Sequence, residues 1–326
     1  GVGFKPDWVW FMQRNNTSAK VMCDSDRGVN KMLQSQSTAA EDDSWQYGYL
    51  SVFGDDGFTA QEGSTNNNYI NENNVNIVAW NWKAGGGTTT SVSESGDNPA
   101  NTRQTNATAG FSIITYTGTG AAGTIAHGLG AVPKWIITKT RSHTGDWMVY
   151  HGMNTTAPET DFLKLNETNA TEDLNTVYND TAPTSSVFTL GSNGDVNTDG
   201  RTQVAYVFAE VEGFSKFGFY SGNGNADGAF VFCGFRPAFC IVKRTDSTNQ
   251  WNIWDDKRSS ASGNNVLDYF QIANDTDAEN TSGGNNIDFV SNGFKVRNNG
   301  NASNNSSGTY VFMAFAEAPF KYANAK

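Results

Sequence analysis

Cysteine is nearly absent from this 326-residue chain: Cys23, Cys233 and Cys240 are an odd number in unrelated contexts. They argue against a disulfide framework and predict buried free thiols in a protein that folds in a reducing cytoplasm. Positive charge is short as well. Lys and Arg number 22 against 33 Asp and Glu, the net charge is −11, and no basic cluster occurs, so no nucleic-acid surface is expected. No run has the apolar length of a membrane helix, and no charged-then-apolar leader opens the chain. An initiator Met is missing too, so the chain reads as one that begins after processing or as a piece of a longer one. The strings HExxH, CxxC, GxxxxGK[ST] and GxSxG are absent. Helical periodicity is confined to the polar stretches 27–46 and 158–176, where a short helix or a loop fits equally.

What the chain does contain is strand and turn material: 13% aromatic residues, 34 glycines, and much Asn, Ser and Thr. Residues 213–244, GFSKFGFYSGNGNADGAFVFCGFRPAFCIVKR, read as a strand, a Gly/Asn turn, a second strand, and a Gly-x-x-Pro corner into a third. A copy of this leader hairpin and corner lies at 110–141, and its last third opens the chain at 3–14. Phe111 to Phe214 is 103 residues, while Pro133 to Pro237 and Trp147 to Trp251 are each 104. The closing strands VAYVFAE and VFMAFAE also correspond. This predicts an all-β chain of tandem β-sandwich modules, jelly-roll or lectin-like. Module one spans 1–83 with its leader hairpin missing, 84–109 is a polar linker or arm, and modules two and three span 110–212 and 213–326. The linker holds too little apolar surface to offset its ordering entropy. In module one, the apolar run after Pro6 predicts a strand covered on both faces or lying at an interface, and 50–58 predicts a hairpin turning at Gly54-Asp55-Asp56-Gly57.

The stretches 213–247 and TIAHGLGAVPKWIITKTR (124–141), with GFKPDWVWFMQR and DSDRG (24–28), resemble repeats of tail-fibre and other virion-surface proteins of marine tailed bacteriophages. The likeness covers nearly the whole chain apart from 84–109. It implies a non-enzymatic structural component of a virion surface, as tail fibre, appendage or capsid decoration. Its partners would be copies of itself, with a trimer among the forms expected, and other virion proteins. It would be assembled in the host cytoplasm and extracellular when mature, with no cofactor and no membrane.

Candidate sites are few. His127 falls in a turn, His143 lies near Asp146, and His151 occupies the place of Asp24 and Asp255 in the other modules, which predicts a surface turn. The matched pairs Asp24/Arg27 and Asp255/Arg258 predict turn-locking ion pairs, with an intermodule contact left open. Asp42-Asp43, Asp55-Asp56 and Asp255-Asp256 predict surface turns rather than glycosidase acids, which stand across a cleft; a polysaccharide depolymerase is therefore disfavoured. Asp195, Asn197 and Asp199, followed by Gly200, match the first half of a calcium loop, but the twelfth position is Tyr206, so a plain turn is the preferred reading. Trp45, Tyr47, Tyr49, Tyr69 and Trp254 lie among polar residues and form the candidate surface for a partner protein or, alternatively, a host glycan.

Overall fold

Each Gly-x-x-Pro corner launches the strand around which a sheet is built. Gly3, Gly130 and Gly234 have φ of 86°, 70° and 82°, a left-handed turn that a side chain resists. The prolines at the strand starts lie beside register irregularities between Pro133 and Trp135 and between Pro237 and Phe239, where a missing N–H is tolerated. The computed structural model describes residues 1–65 and 67–318, and in it nearly all regular structure is strand. The expected end of module three, at 319–326, lies outside the described residues.

Three antiparallel sheets share one plan. In module one, Trp8–Gln13 runs between Val21–Asp24 and Ile77–Trp82. In module two, Pro133–Thr140 runs between Trp147–His151 and the closing strand Thr202–Ala209, which pairs onward with Phe111–Thr117. Module three repeats this with Pro237–Arg244, Trp251–Asp255, Thr309–Ala316 and Ser215–Ser221. Each module adds a smaller sheet: Tyr49–Gly54 with Gly57–Gln61, Gly123–Ala126 with Val187–Leu190, and Phe230–Phe232 with Gly293–Val296 and Ile287–Val290. The molecule is thus all-β, of sandwich type.

The alternation of strand side chains places two apolar rows on opposite faces, and here both rows are buried. Val9 and Phe11, Ile136, and Cys240 and Val242 face the small sheet of their own module. The other rows, including Trp8, Trp10, Trp135, Ile137, Phe239 and Ile241, meet in one core shared by all three modules. Trp8 lies 4.4 Å from Trp82 and 4.7 Å from Tyr206, Trp82 lies 5.5 Å from Phe239, and Trp135 lies 5.7 Å from Trp251. Three sheets therefore enclose an aromatic centre, which explains the continuous apolar run after Pro6. The indole N–H groups of Trp8, Trp10 and Trp135 are buried there without an acceptor, a cost of about 1–3 kcal/mol each that aromatic burial must exceed.

Three expectations are corrected. The leader is not a hairpin: its first strand joins the large sheet and its second the small one, in both complete copies, because the Gly/Asn turn carries the chain across the sandwich. Residues 84–109, expected as a polar linker or arm, are not a free linker but an extended arm with hydrogen-bonded strands. Asn101–Asn106 pairs along the outer edge of Phe111–Thr117, and Thr90–Val92 pairs with it in turn. Main-chain bonds hold this segment, so its lack of apolar residues did not reveal it. The stretches 27–46 and 158–176 contain short strands, Leu33–Gln34, Asp161–Lys164 and Glu172–Asp173, with a helical turn only at Asn175–Tyr178.

A core shared by three modules predicts joint unfolding. Trp135→Ala is expected to destabilise the whole chain by about 3–5 kcal/mol, with one calorimetric transition in both proteins. Separate transitions, with only one shifted, would contradict the shared core.

Candidate functional site

The most chemically endowed positions lie where the large sheets meet. Asp24, His151 and Asp255 stand opposite Trp8, Trp135 and Phe239 in register, and all are buried. Each reaches into the next module. Asp24 accepts a hydrogen bond from the Tyr206 hydroxyl at 2.6 Å, and Asp255 accepts one from Trp80 Nε1 at 3.0 Å. His151 Nε2 lies 3.1 Å from the Phe312 carbonyl. Tyr206, Trp80 and Met313 occupy one equivalent place, opposite Ile137, Trp10 and Ile241. Met313 has no proton to donate, so a carboxylate at 151 would be buried unpaired. Imidazole resolves this by donating from Nε2 to Phe312 and accepting the Met153 N–H at Nδ1, 3.1 Å away.

Charge networks surround the two aspartates. Arg27 is bound by Asp24 and by Glu41 at 2.9 Å, and Glu41 is gripped across the junction by both arms of Arg141, at 2.9 and 3.0 Å. Arg258 is bound by Asp255 at 2.5 Å and by Glu279, and Glu279 is gripped by Arg14 at 3.0 and 2.7 Å. Burial by itself would push the Glu41 carboxyl up, but Arg141 and Arg27 hold it below its ordinary value. At the third junction the same places hold Asn154, Thr171 and Thr245. Thr171 donates its N–H to the Thr245 carbonyl at 2.8 Å, as Glu41 does to Arg141 and Glu279 to Arg14, and its hydroxyl bonds Asn154 at 2.8 Å. Three buried lysines complete the set: Lys20, Lys139 and Lys243 donate to the carbonyls of Asp277, Thr38 and Thr168 in neighbouring modules, at 2.6, 3.1 and 3.2 Å. Burial pulls their ammonium pKa values down to about 8, about 8 and about 7.

The surface turns expected at His151 and at Asp255-Asp256 are therefore corrected, since His151 and Asp255 are sealed between modules and Asp256 is buried beside them. The Asp/Arg pairs lock their turns and also bridge to the next module. Such groups fix orientation. Each carboxylate is already engaged by a guanidinium, and the desolvation of a buried ion pair offsets much of its Coulombic gain.

The expected aromatic surface separates into two parts. Trp254 is fully buried in the module-three core, with its N–H on the Asn285 carbonyl at 3.0 Å, so it offers no ring face. Its strand is covered on both sides, and the polar neighbours that made it look exposed are buried as well. The other four do gather on module one. Trp45 stacks on Tyr49 at 4.9 Å and Tyr47 on Tyr69 at 4.6 Å, the two segments being tied by the Tyr69 N–H to the Tyr47 carbonyl. Trp45 is 53% exposed and has φ of 63°, a costly conformation for a bulky residue.

At the calcium candidate, Asp195 and Asn197 lie in the helical turn Gly194–Asn197 and Asp199 follows it. The Asn197 side-chain oxygen Oδ1 already accepts the Thr119 N–H at 3.0 Å, and Nδ2 donates to the Ala121 and Gly191 carbonyls, so this side chain is engaged in holding the turn. Among the described residues no three His, Cys, Asp or Glu side chains gather as metal ligands. The cysteines are buried free thiols, and burial pushes Cys23 and Cys233 up to about 12. No helix among the described residues is long and apolar enough to cross a membrane.

The chain belongs to a family described as a domain of unknown function (DUF7483), whose model matches residues 1–319 and so takes in all three modules. No curated protein and no solved structure matches it.

The junction geometry makes two predictions. Arg27→Asn by itself leaves Asp24 buried without its cation and Glu41 with Arg141 alone, and is expected to cost about 3–5 kcal/mol. Installing the neutral set, with His, Asn, Thr and Thr at 24, 27, 41 and 141, is expected to cost less in the same denaturation assay. The second concerns pH. Burial lowers His151 from 6.5 to about 4, so between those values the unfolded chain binds more protons and stability falls as pH falls, by roughly 3 kcal/mol for this group. His151→Gln should flatten the denaturation midpoint across that window; an unchanged slope would count against the assignment.

Proposed function

We propose that this chain is a non-enzymatic structural component of a phage virion surface, a rigid three-lobed block that assembles with other virion proteins or with its own kind. The observation that carries the reading is the use made of reactive side chains. Asp24, Asp255, Glu41, Glu279, the three buried lysines and His151 each hold one module against another, which suits a body that transmits load and presents its surface. The repeat resemblance supplies the virion setting. Host surface glycan is the second reading, favoured by the two stacked aromatic pairs on module one and by Trp45 in its left-handed conformation. Sugars stack on such exposed ring faces.

Antibodies raised against the chain are expected to label the surface of purified particles in electron micrographs, and incubation with host polysaccharide is expected to release no reducing ends. Glycan binding that falls about tenfold or more in Trp45→Ala, with unchanged melting, would move the assignment to the second reading. Labelling absent from particles would overturn the first.

A further inference from the structure

The three large sheets differ at one edge. In module two the outer edge of Phe111–Thr117 is covered by Asn101–Asn106. In module three the equivalent strand, Ser215–Ser221, pairs with Thr309–Ala316 on one side, and among the described residues no strand pairs with the other. A groove of about 460 Å³ follows this bare edge, lined by Phe219, Phe230, Phe232, Met153, Lys134 and Lys216 among others. Phe219, Phe230, Phe232 and Met153 are 53%, 49%, 61% and 38% exposed.

Each of these apolar residues matches a place beside the covering strand where modules one and two meet. Phe219 corresponds to Thr115, both opposite the valine that faces a buried lysine, Val311 or Val204. Met153 corresponds to Asp26, two residues after the matched positions His151 and Asp24. Thr115 and Asp26 bond to each other at 2.8 Å, and Gln104 of the covering strand sits beside them, bonded to Ser25 at 3.2 Å. Phe230 and Phe232 correspond to Ala126 and Gly128, seven and five residues before the corner prolines. Arg103 of the covering strand bonds the Ala126 carbonyl at 3.4 Å, and a Cβ on Gly128 would meet Arg103 and Thr105 at 2.9 and 3.0 Å.

We infer that the edge Ser215–Ser221 is an acceptor for a β-strand from another polypeptide, which pairs as Asn101–Asn106 pairs in module two and is apolar on both faces at its centre. The interface between modules two and three continues into the groove, and its exposed residues are large and apolar where their counterparts Asp26, Thr115, Ala126 and Gly128 are polar or small. A polar strand such as Asn101–Asn106 fits Asp26, Thr115 and Gly128; an apolar one fits Met153, Phe219 and Phe232. Strand addition supplies main-chain bonds for affinity and side-chain pockets for choice, and an unfilled apolar edge is otherwise an aggregation hazard. Glu210 guards the edge meanwhile: its carboxylate accepts the Phe217 N–H at 3.3 Å and pairs with Lys216 at 2.7 Å. The incoming strand's carbonyl would take over that N–H.

The test uses the full chain and a blocked peptide of sequence 97–108 with valine, leucine and valine in place of Arg103, Gln104 and Thr105. The expected result is saturable binding by fluorescence anisotropy, with slowed hydrogen exchange at 217–221. Affinity should fall about tenfold for the unmodified 97–108 sequence and for Phe219→Thr, which restores the module-two residue at an exposed position. A backbone N-methylated peptide of the same sequence should not bind. Failure of the apolar peptide to bind, or equal binding of the N-methylated one, would overturn strand addition. A concentration-dependent dimer of the chain by itself that Phe219→Thr dissolves would overturn the choice of a foreign strand and assign the edge to a second copy.

Discussion

The second face of each large sheet is the constraint on which the rest depends. An antiparallel sheet packed against one small sheet leaves its other face to water or to a partner. Here that face carries Trp8, Trp10, Trp135, Phe208, Phe239 and Phe315, far too much apolar surface to leave solvated. Bringing three such faces together buries them all and makes each module's stability depend on its neighbours. The modules are consequently repeats in sequence that share one buried core.

Burying polar groups at those junctions creates the second requirement, since each must find its partner inside the molecule. The same place holds Asp where the facing residue is Tyr206 or Trp80 and His where it is Met313. Two junctions carry Asp, Arg, Glu and Arg, and the third carries His, Asn, Thr and Thr; with the imidazole neutral, all three sets sum to zero charge. Differences between copies that look like relaxed surface variation are therefore compensated changes across an interface. The bare edge of module three follows the same logic in reverse, with apolar residues placed where no strand among the described residues meets them.

Much of the candidate surface was legible in sequence. Trp45, Tyr47, Tyr49 and Tyr69 read as accessible aromatics among polar neighbours, and they do cluster. Trp254 read the same way and was wrong, because polar neighbours signal exposure only when one face of the strand is solvated. His151 failed for a related reason: substitution by Asp suggested tolerance, when both residues answer to a partner far away in the chain. Phe219, Phe230 and Phe232 gave no signal, since their alternation with buried residues is what any strand with a covered edge would show.

The repeat, its register, the strand-rich composition and the Gly-x-x-Pro corners follow from the sequence, because turn geometry and side-chain alternation are local properties of a few adjacent residues. That the modules close around a common aromatic centre, that 101–106 caps one sheet edge while no described strand caps the matching one, and that Asp24, His151 and Asp255 are interior latches were decided only in three dimensions. Each of these depends on which distant residue fills the space opposite, and no local pattern encodes that.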